Sequence, residues 1–148
     1  MKDRLVAGGL SGIIAGLIEY IFSIFLKALG WTDRYYGQFS DIIFNNRVYT
    51  GILGTILSIL THLALTTVLG VIFVYILAWT SSRYYLLKGA GYGFVLWFSL
   101  SGLGTIFRMP LFIDIPEKTA FSLLAGALVF GLTLAYSLRL MDRKSALL

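Results

Sequence analysis

The stretch from Gly51 to Trp79 contains no Asp, Glu, Lys or Arg, and His62 is its only side chain that titrates near neutral pH. A membrane-spanning helix needs roughly 20 predominantly apolar residues, so this stretch is long enough to cross a bilayer with some tilt. Aliphatic side chains fill most of its faces, and one face carries, at helical spacing, Gly51, Thr55, Ser58, His62, Thr66 and Gly70. Small and hydroxyl-bearing residues on one face allow helices to pack closely in lipid. The stretch therefore predicts a membrane-spanning helix with a polar packing face.

The composition extends this prediction to the whole chain. Its 148 residues are 58% hydrophobic and 13% charged, whereas an average soluble domain is about 25% charged. Without cysteine the chain forms no disulfide and uses no thiolate chemistry. The net charge of +5 does not indicate nucleic-acid binding, because the basic residues stand at the ends of apolar segments, where membrane topology explains them.

The hydropathy pattern predicts an all-α fold, an integral membrane four-transmembrane-helix bundle that forms a single domain over residues 1–148. Helices are expected at about residues 5–29, 50–80, 89–108 and 118–140. Four spans place both termini on one side of the membrane, which then carries seven Lys and Arg residues against five on the other. The positive-inside rule accordingly favours cytoplasmic termini.

The connection at residues 30–49 is rich in aromatic residues. It carries an approximate helical stripe of Trp31, Tyr35, Tyr36, Phe39, Ile42, Ile43 and Phe44. Aromatic side chains concentrate where lipid headgroups meet acyl chains. The stripe predicts a short amphipathic segment in the membrane interface, and a plain surface loop is an equal alternative.

The first predicted span contains the one acidic residue placed deep in an apolar segment. Gly8, Gly12 and Gly16 form overlapping GxxxG motifs, and the same spacing continues to Glu19 and Ser23. Since the first two spans run antiparallel, the helical rise brings Glu19 and His62 to within about 5–8 Å in depth. We therefore predict that these two residues form a direct or water-bridged contact, with Ser58, Thr55, Thr66 and Tyr20 as nearby hydrogen-bonding groups.

Two interpretations of the predicted contact stay open. Ionisable residues at this depth often mark proton or substrate paths, which would make Glu19 and His62 a proton or ion site. Alternatively, the pair is a structural hydrogen bond that fastens two helices. Arg108, at the end of the third span, has three alternatives: extension to the interface, contact with Glu19, or binding of an ion or a lipid phosphate.

Other classes of site find little support. His62 and Glu19 supply at most two ligands, so the residues predict no metal site, and no cofactor motif is present. No oxyanion hole accompanies Ser58, so an enzyme is not expected. A faint internal similarity pairs Gly8-x-x-x-Gly12 with Gly89-x-x-x-Gly93. Parallel repeats occur in transporters, although the general composition of membrane helices explains the similarity equally well.

The segments GGLSG, VYTGILGTIL, KGAGYGFVLW and LVFGLTLAYSL, one from each predicted helix, resemble the YqhR-like family of small bacterial membrane proteins. The resemblance implies a four-helix layout in a bacterial cytoplasmic (inner) membrane and no particular activity. The leading functional hypothesis is a structural or accessory subunit of a larger membrane assembly. The alternative is a small proton-coupled transporter or channel that uses Glu19 and His62. We expect the lipid bilayer, further copies of the chain or other membrane subunits as partners, and no nucleic acid.

Overall fold

The computed structural model describes residues 3–38, 51–80, 83–109 and 112–145. Residues 143–145 are described by their backbone only. The described residues are all-α, as predicted, and form α1 (Arg4–Ala28), α2 (Gly51–Thr80), α3 (Tyr85–Ile106) and α4 (Glu117–Ser145), with a 3₁₀ turn at Tyr36–Gln38. The helices match the predicted segments. The largest differences are the start of α3, which lies before residue 89, and the end of α4, which lies beyond residue 140.

Local sequence explains both ends of α1. The Asp3 carboxylate accepts hydrogen bonds from the backbone N–H groups of Leu5 and Val6 at 3.0 and 3.2 Å, which caps the helix start. At the other end, Gly30 adopts a left-handed φ of 73°. Glycine tolerates this conformation, which lets the Trp31 N–H reach back to the carbonyl of Leu26 at 3.1 Å and close the last turn.

Within the described residues, three helices are long and apolar enough to cross a membrane: α1, α2 and residues Glu117–Asp142 of α4. They indicate a membrane protein. Helix α3 is not among these candidate spans, so the predicted third span at 89–108 does not meet the same criterion. Five glycines, together with tyrosine, serine and threonine side chains, give α3 a lower hydropathy than its neighbours.

Glycines set the distance between the helices of each hairpin. In the α1–α2 hairpin, a Cβ on Gly70 would overlap the carbonyl oxygen of Gly8. In the α3–α4 hairpin, a Cβ on Gly131 would overlap the carbonyl oxygen of Gly89 in the same way. Backbones can approach this closely because the glycine has no side chain to separate them. We call these two contact lines the glycine seams.

The two hairpins share a contact pattern. Gly8 and Gly12 of α1 pack on α2 around Gly70, as Gly89 and Gly93 of α3 pack on α4. The resemblance between the first and third helices therefore extends to the way their glycines are used.

The arrangement of the two hairpins is asymmetric. Helix α1 also packs extensively on α4, whereas α2 and α3 approach each other much less closely. Larger side chains fill part of the space between α2 and α3: the rings of Phe73 and Tyr92 lie 5.0 Å apart, and the Tyr92 hydroxyl donates to the carbonyl of Leu69 at 2.9 Å. The bundle is thus closed on three sides and looser on the fourth.

The connection after α1 differs from the predicted aromatic stripe at Tyr36, within its described part. Its described part is not an amphipathic helix but an irregular segment that ends in the 3₁₀ turn. Tyr36 is only 6% exposed and belongs to the buried cluster of Phe112, Leu123 and Ala127, so it lies inside the bundle and not at its surface. Trp31 remains exposed. The predicted stripe members Phe39, Ile42, Ile43 and Phe44 lie outside the described residues.

Candidate functional site

Glu19 and His62 lie in contact at the centre of the bundle. His62 Nε2 is 3.1 Å from Glu19 Oε2, and their side chains are 3% and 2% exposed. The glycine seam positions the pair, because both residues continue the line along which α1 and α2 are closest. The predicted contact is therefore present in the structure.

The contact is close but is not a well-directed hydrogen bond. The Nε2–H of His62 donates to the backbone carbonyl of Gly16 at 3.1 Å. Glu19 Oε2 and His62 Nδ1 are both buried without a hydrogen-bond partner among the described residues. Leaving buried polar atoms unpaired costs roughly 1–3 kcal/mol each. A pair selected only to fasten two helices would direct the N–H at the carboxylate, so this geometry is poorly explained by a structural role.

The other carboxylate oxygen is held firmly. Ser23, one turn further along α1, donates to Glu19 Oε1 at 2.5 Å. On the opposite side, the α4 backbone comes so close that a Cβ on Gly126 would lie 3.0 Å from the same oxygen. Oε1 is thereby fixed between α1 and α4, and Oε2 is the oxygen left for another partner.

Tyr36 brings a third polar group to the site. Its hydroxyl is buried and unpaired within the described residues. Burial, and secondarily the negative charge of Glu19, raise the pKa of the Tyr36 hydroxyl above its usual value. The phenol therefore stays protonated, and its O–H is a donor that can serve a guest in the site.

Two sets of contacts hold Tyr36 in place. Before it, Thr119 at the start of α4 donates to Asp33 Oδ1 at 2.9 Å, and this hydrogen bond lowers the pKa of the Asp33 carboxyl. After it, Ser58 of α2 donates to the carbonyl of Gly37. The turn is thus tied to both α4 and α2 and closes one end of the bundle interior.

A small cavity joins these groups. It measures about 30 Å³, enough for a water-sized group. Its wall is almost entirely apolar surface, and the residues that border it are Glu19, Tyr36, His62, Thr66, Leu65, Leu69, Leu96, Leu100, Ala127 and Phe130. Of the four buried polar atoms that lack a partner in the described chain, three belong to residues of this lining. The arrangement can hold a proton or accept hydrogen bonds from a small guest.

The predicted supporting residues divide into two groups. Thr66 lines the cavity, and the Tyr20 ring packs on His62 with their centroids 5.6 Å apart. Ser58 serves the 3₁₀ turn instead of the pair. Thr55 was wrongly placed: it is exposed and donates to the Gly51 carbonyl of its own helix at 3.1 Å.

The error at Thr55 has a simple geometric origin. The buried line of α2 follows strict steps of four residues through His62, so it passes through Gly54 and not through its neighbour. Adjacent helix positions point about 100° apart. Counting back from His62 in steps of four would have identified the correct face.

Arg108 takes no part in the site. Its side chain is exposed at the end of α3, and its backbone has a left-handed φ of 51°. Among the described residues, Glu19 has Ser23 and His62 as its polar neighbours, so the predicted alternative of an Arg108–Glu19 contact is wrong. Extension to the interface and phosphate or ion binding stay predictions.

Sequence reasoning missed Tyr36 as a member of the site. Tyr35 and Tyr36 are adjacent aromatics, and no periodic pattern distinguishes the one that turns inward. The Gly37 that follows is the only local signal, since a Cβ there would overlap the rings of Tyr35 and Tyr20. A glycine beside an aromatic pair indicates close packing but does not identify the residues that pack there.

A pair of tyrosines provides a test of the unpaired hydroxyl. Tyr92→Phe removes a hydroxyl that donates to Leu69, so we expect it to cost about 0.5–1.5 kcal/mol. Tyr36→Phe removes one without a partner in the described chain and is expected to leave stability unchanged or raised. Thermal unfolding of the two variants in the same detergent measures the difference. A larger loss for Tyr36→Phe would contradict the described environment of its hydroxyl.

Comparison of the chain with protein-family models, with curated proteins and with solved structures found no match. The resemblance to the YqhR-like family therefore stays a prediction, and the functional conclusion depends on the site alone.

Proposed function

We propose that this chain is a four-helix integral membrane protein that acts as a small proton-coupled transporter or channel, with Glu19 and His62 as its proton-exchanging pair. The observation that carries the proposal is that Glu19 Oε2, His62 Nδ1 and the Tyr36 hydroxyl are buried without partners in the described chain. Unpaired polar atoms inside a membrane bundle are costly and commonly belong to proton or substrate paths.

The proposal includes a fourth span and an orientation. Helix α3 packs along α4 through a glycine seam, so a bilayer that contains α4 also contains α3. Contacts with the neighbouring helices compensate for the lower hydropathy of α3. Both termini then face the cytoplasm of a bacterial cell, by the distribution of Lys and Arg. A proton moves onto Glu19 Oε2 or His62 Nδ1 and leaves again, while Oε1 stays bound to Ser23.

Proteoliposomes with a pH-sensitive dye inside test the proposal. After an imposed pH gradient, the wild-type protein is expected to dissipate the gradient faster than empty vesicles, and Glu19→Gln is expected to abolish the difference. Glu117→Gln is the matched control, because Glu117 is the only other glutamate of the chain and is exposed at the start of α4. Equal flux in wild type and Glu19→Gln would count against the proposal.

A second candidate function is a structural or accessory subunit of a membrane assembly. The exposure of helix α2 favours this second function. Only 28% of the residues in its most apolar 18-residue stretch are buried inside the chain, which leaves a broad surface for lipid or for another subunit. Purification in mild detergent discriminates the two functions. A stoichiometric membrane partner, together with flux no faster than that of empty vesicles, would favour the accessory subunit.

A further inference from the structure

We propose that the cavity at Glu19 binds the head of a primary alkylammonium ion, whose hydrocarbon chain leaves the bundle between α2 and α3. This inference rests on the proposed function and names the substrate class of the same site. A lipophilic amine in its protonated form has the charge, hydrogen-bond donors, head size and tail that the residues around the cavity select.

Charge selects a cation. Among the described residues, Glu19 is the only buried acidic side chain, and no Lys or Arg is buried with it. The Nε2–H of His62 is engaged by the Gly16 carbonyl, so the Glu19 carboxylate is the group at the site that is left to balance a cation. Tyr36 and Phe130 add aromatic rings to the lining, and aromatic rings favour cations.

Hydrogen bonding selects an ammonium ion that carries N–H groups. The carboxylate oxygen Oε2 is an acceptor without a hydrogen-bond donor in the described chain, and so is His62 Nδ1 in the neutral tautomer. A primary ammonium head has three N–H donors for these acceptors, whereas a quaternary ammonium head has none. Charge-assisted hydrogen bonds of this kind are among the stronger ones in proteins.

Size selects the same head. The cavity of about 30 Å³ accepts a water-sized group. An –NH₃⁺ head is of that size, and a trimethylammonium head is not. The cavity itself therefore discriminates between two cations of equal charge.

The walls of the cavity select the tail and its route. Leu65 and Leu69 of α2 face Leu96 and Leu100 of α3, and all four are half-buried. This is the side on which the helices are least closely packed. A hydrocarbon chain that leaves between these leucines passes from the cavity to the surface of the bundle without exposing a polar group to it.

Calorimetric titration of the full-length protein in detergent, with octylammonium and octyltrimethylammonium as probes, tests the inference. Wild type is expected to bind octylammonium at least tenfold more tightly, and Glu19→Gln is expected to weaken that binding by about 10- to 100-fold. Glu117→Gln controls for partition of the amine into the micelle. Equal affinity for the two heads, or an unchanged affinity in Glu19→Gln, would overturn the assignment.

Two further arms make the result specific. Leu96→Phe narrows the route without touching Glu19 and is expected to weaken octylammonium binding by about tenfold; unchanged binding would contradict the route.

Phosphatidylethanolamine also has a primary ammonium, but its phosphate does not fit between leucines. Adding this lipid is expected to leave the octylammonium affinity unchanged, and competition would overturn the assignment to a free amine.

The inference and the proposed function fail separately. Proton flux that depends on Glu19, without octylammonium binding, would overturn the amine assignment and leave the transporter standing. Octylammonium binding that depends on Glu19, without proton flux, would support the amine site and contradict the transporter.

Discussion

Gly93→Ala is expected to lower the stability of the bundle by about 1–3 kcal/mol, as inserting a methyl group into a closely packed contact usually does. The reason is local: a Cβ at this position would overlap the Ala127 carbonyl oxygen and lie 3.3 Å from Leu128 Cα. Both are backbone atoms of α4, so the contact can be relieved only by separating the helices. The apparent Tm in detergent measures the loss.

Gly91→Ala is the matched control for this prediction. It introduces the same methyl group two residues away on the same helix, where no atom lies within 4 Å of the new Cβ. Because alanine favours the helix over glycine by up to about 1 kcal/mol, Gly91→Ala is expected to leave the Tm unchanged or raise it. Equal losses for the two variants would show that the seam is not what limits the approach of α3 and α4.

Replacing both members of the buried pair, Glu19→Leu with His62→Leu, is expected to leave the bundle equally stable or to stabilise it by about 1–4 kcal/mol. In the second hairpin, leucines already occupy the two positions that correspond to Glu19 and His62. Leu100 stands seven residues after Gly93, as Glu19 does after Gly12, and Leu123 stands eight before Gly131, as His62 does before Gly70. Both leucines belong to an apolar cluster.

The single variants are expected to behave differently. His62→Leu removes the imidazole beside the Glu19 carboxylate and the N–H that donates to the Gly16 carbonyl, and leaving buried polar groups unpaired costs roughly 1–3 kcal/mol each. Glu19→Leu is expected to cost less, because the His62 N–H keeps its bond to Gly16. A double variant as unstable as His62→Leu would show that the pair fastens the helices, which is the structural alternative.

The sequence predicted the helices and the pair well because both depend on periodic patterns. Uncharged apolar segments locate helices, and small residues at steps of four locate the faces that pack. Glu19 and His62 followed from those faces and from the helical rise alone.

The parts that sequence did not predict depend on contacts between distant segments. Tyr36 enters the interior because Thr119, far along the chain, and Ser58 hold the turn around it. The direction of the His62 N–H depends on the Gly16 carbonyl, a backbone atom with no counterpart in the residue pattern. The looser packing of α2 on α3 could likewise not be predicted from the sequence, since the two glycine seams have the same residue pattern.

The most direct test of the proposed role of Glu19 and His62 is proton flux in proteoliposomes that contain equal amounts of folded wild type and of the double leucine variant. Since the variant is expected to keep its fold, a loss of flux separates function from stability. We expect the variant to show the flux of empty vesicles while its Tm stays at or above that of wild type. Flux equal to wild type in the folded variant would contradict the assignment of proton exchange to this pair.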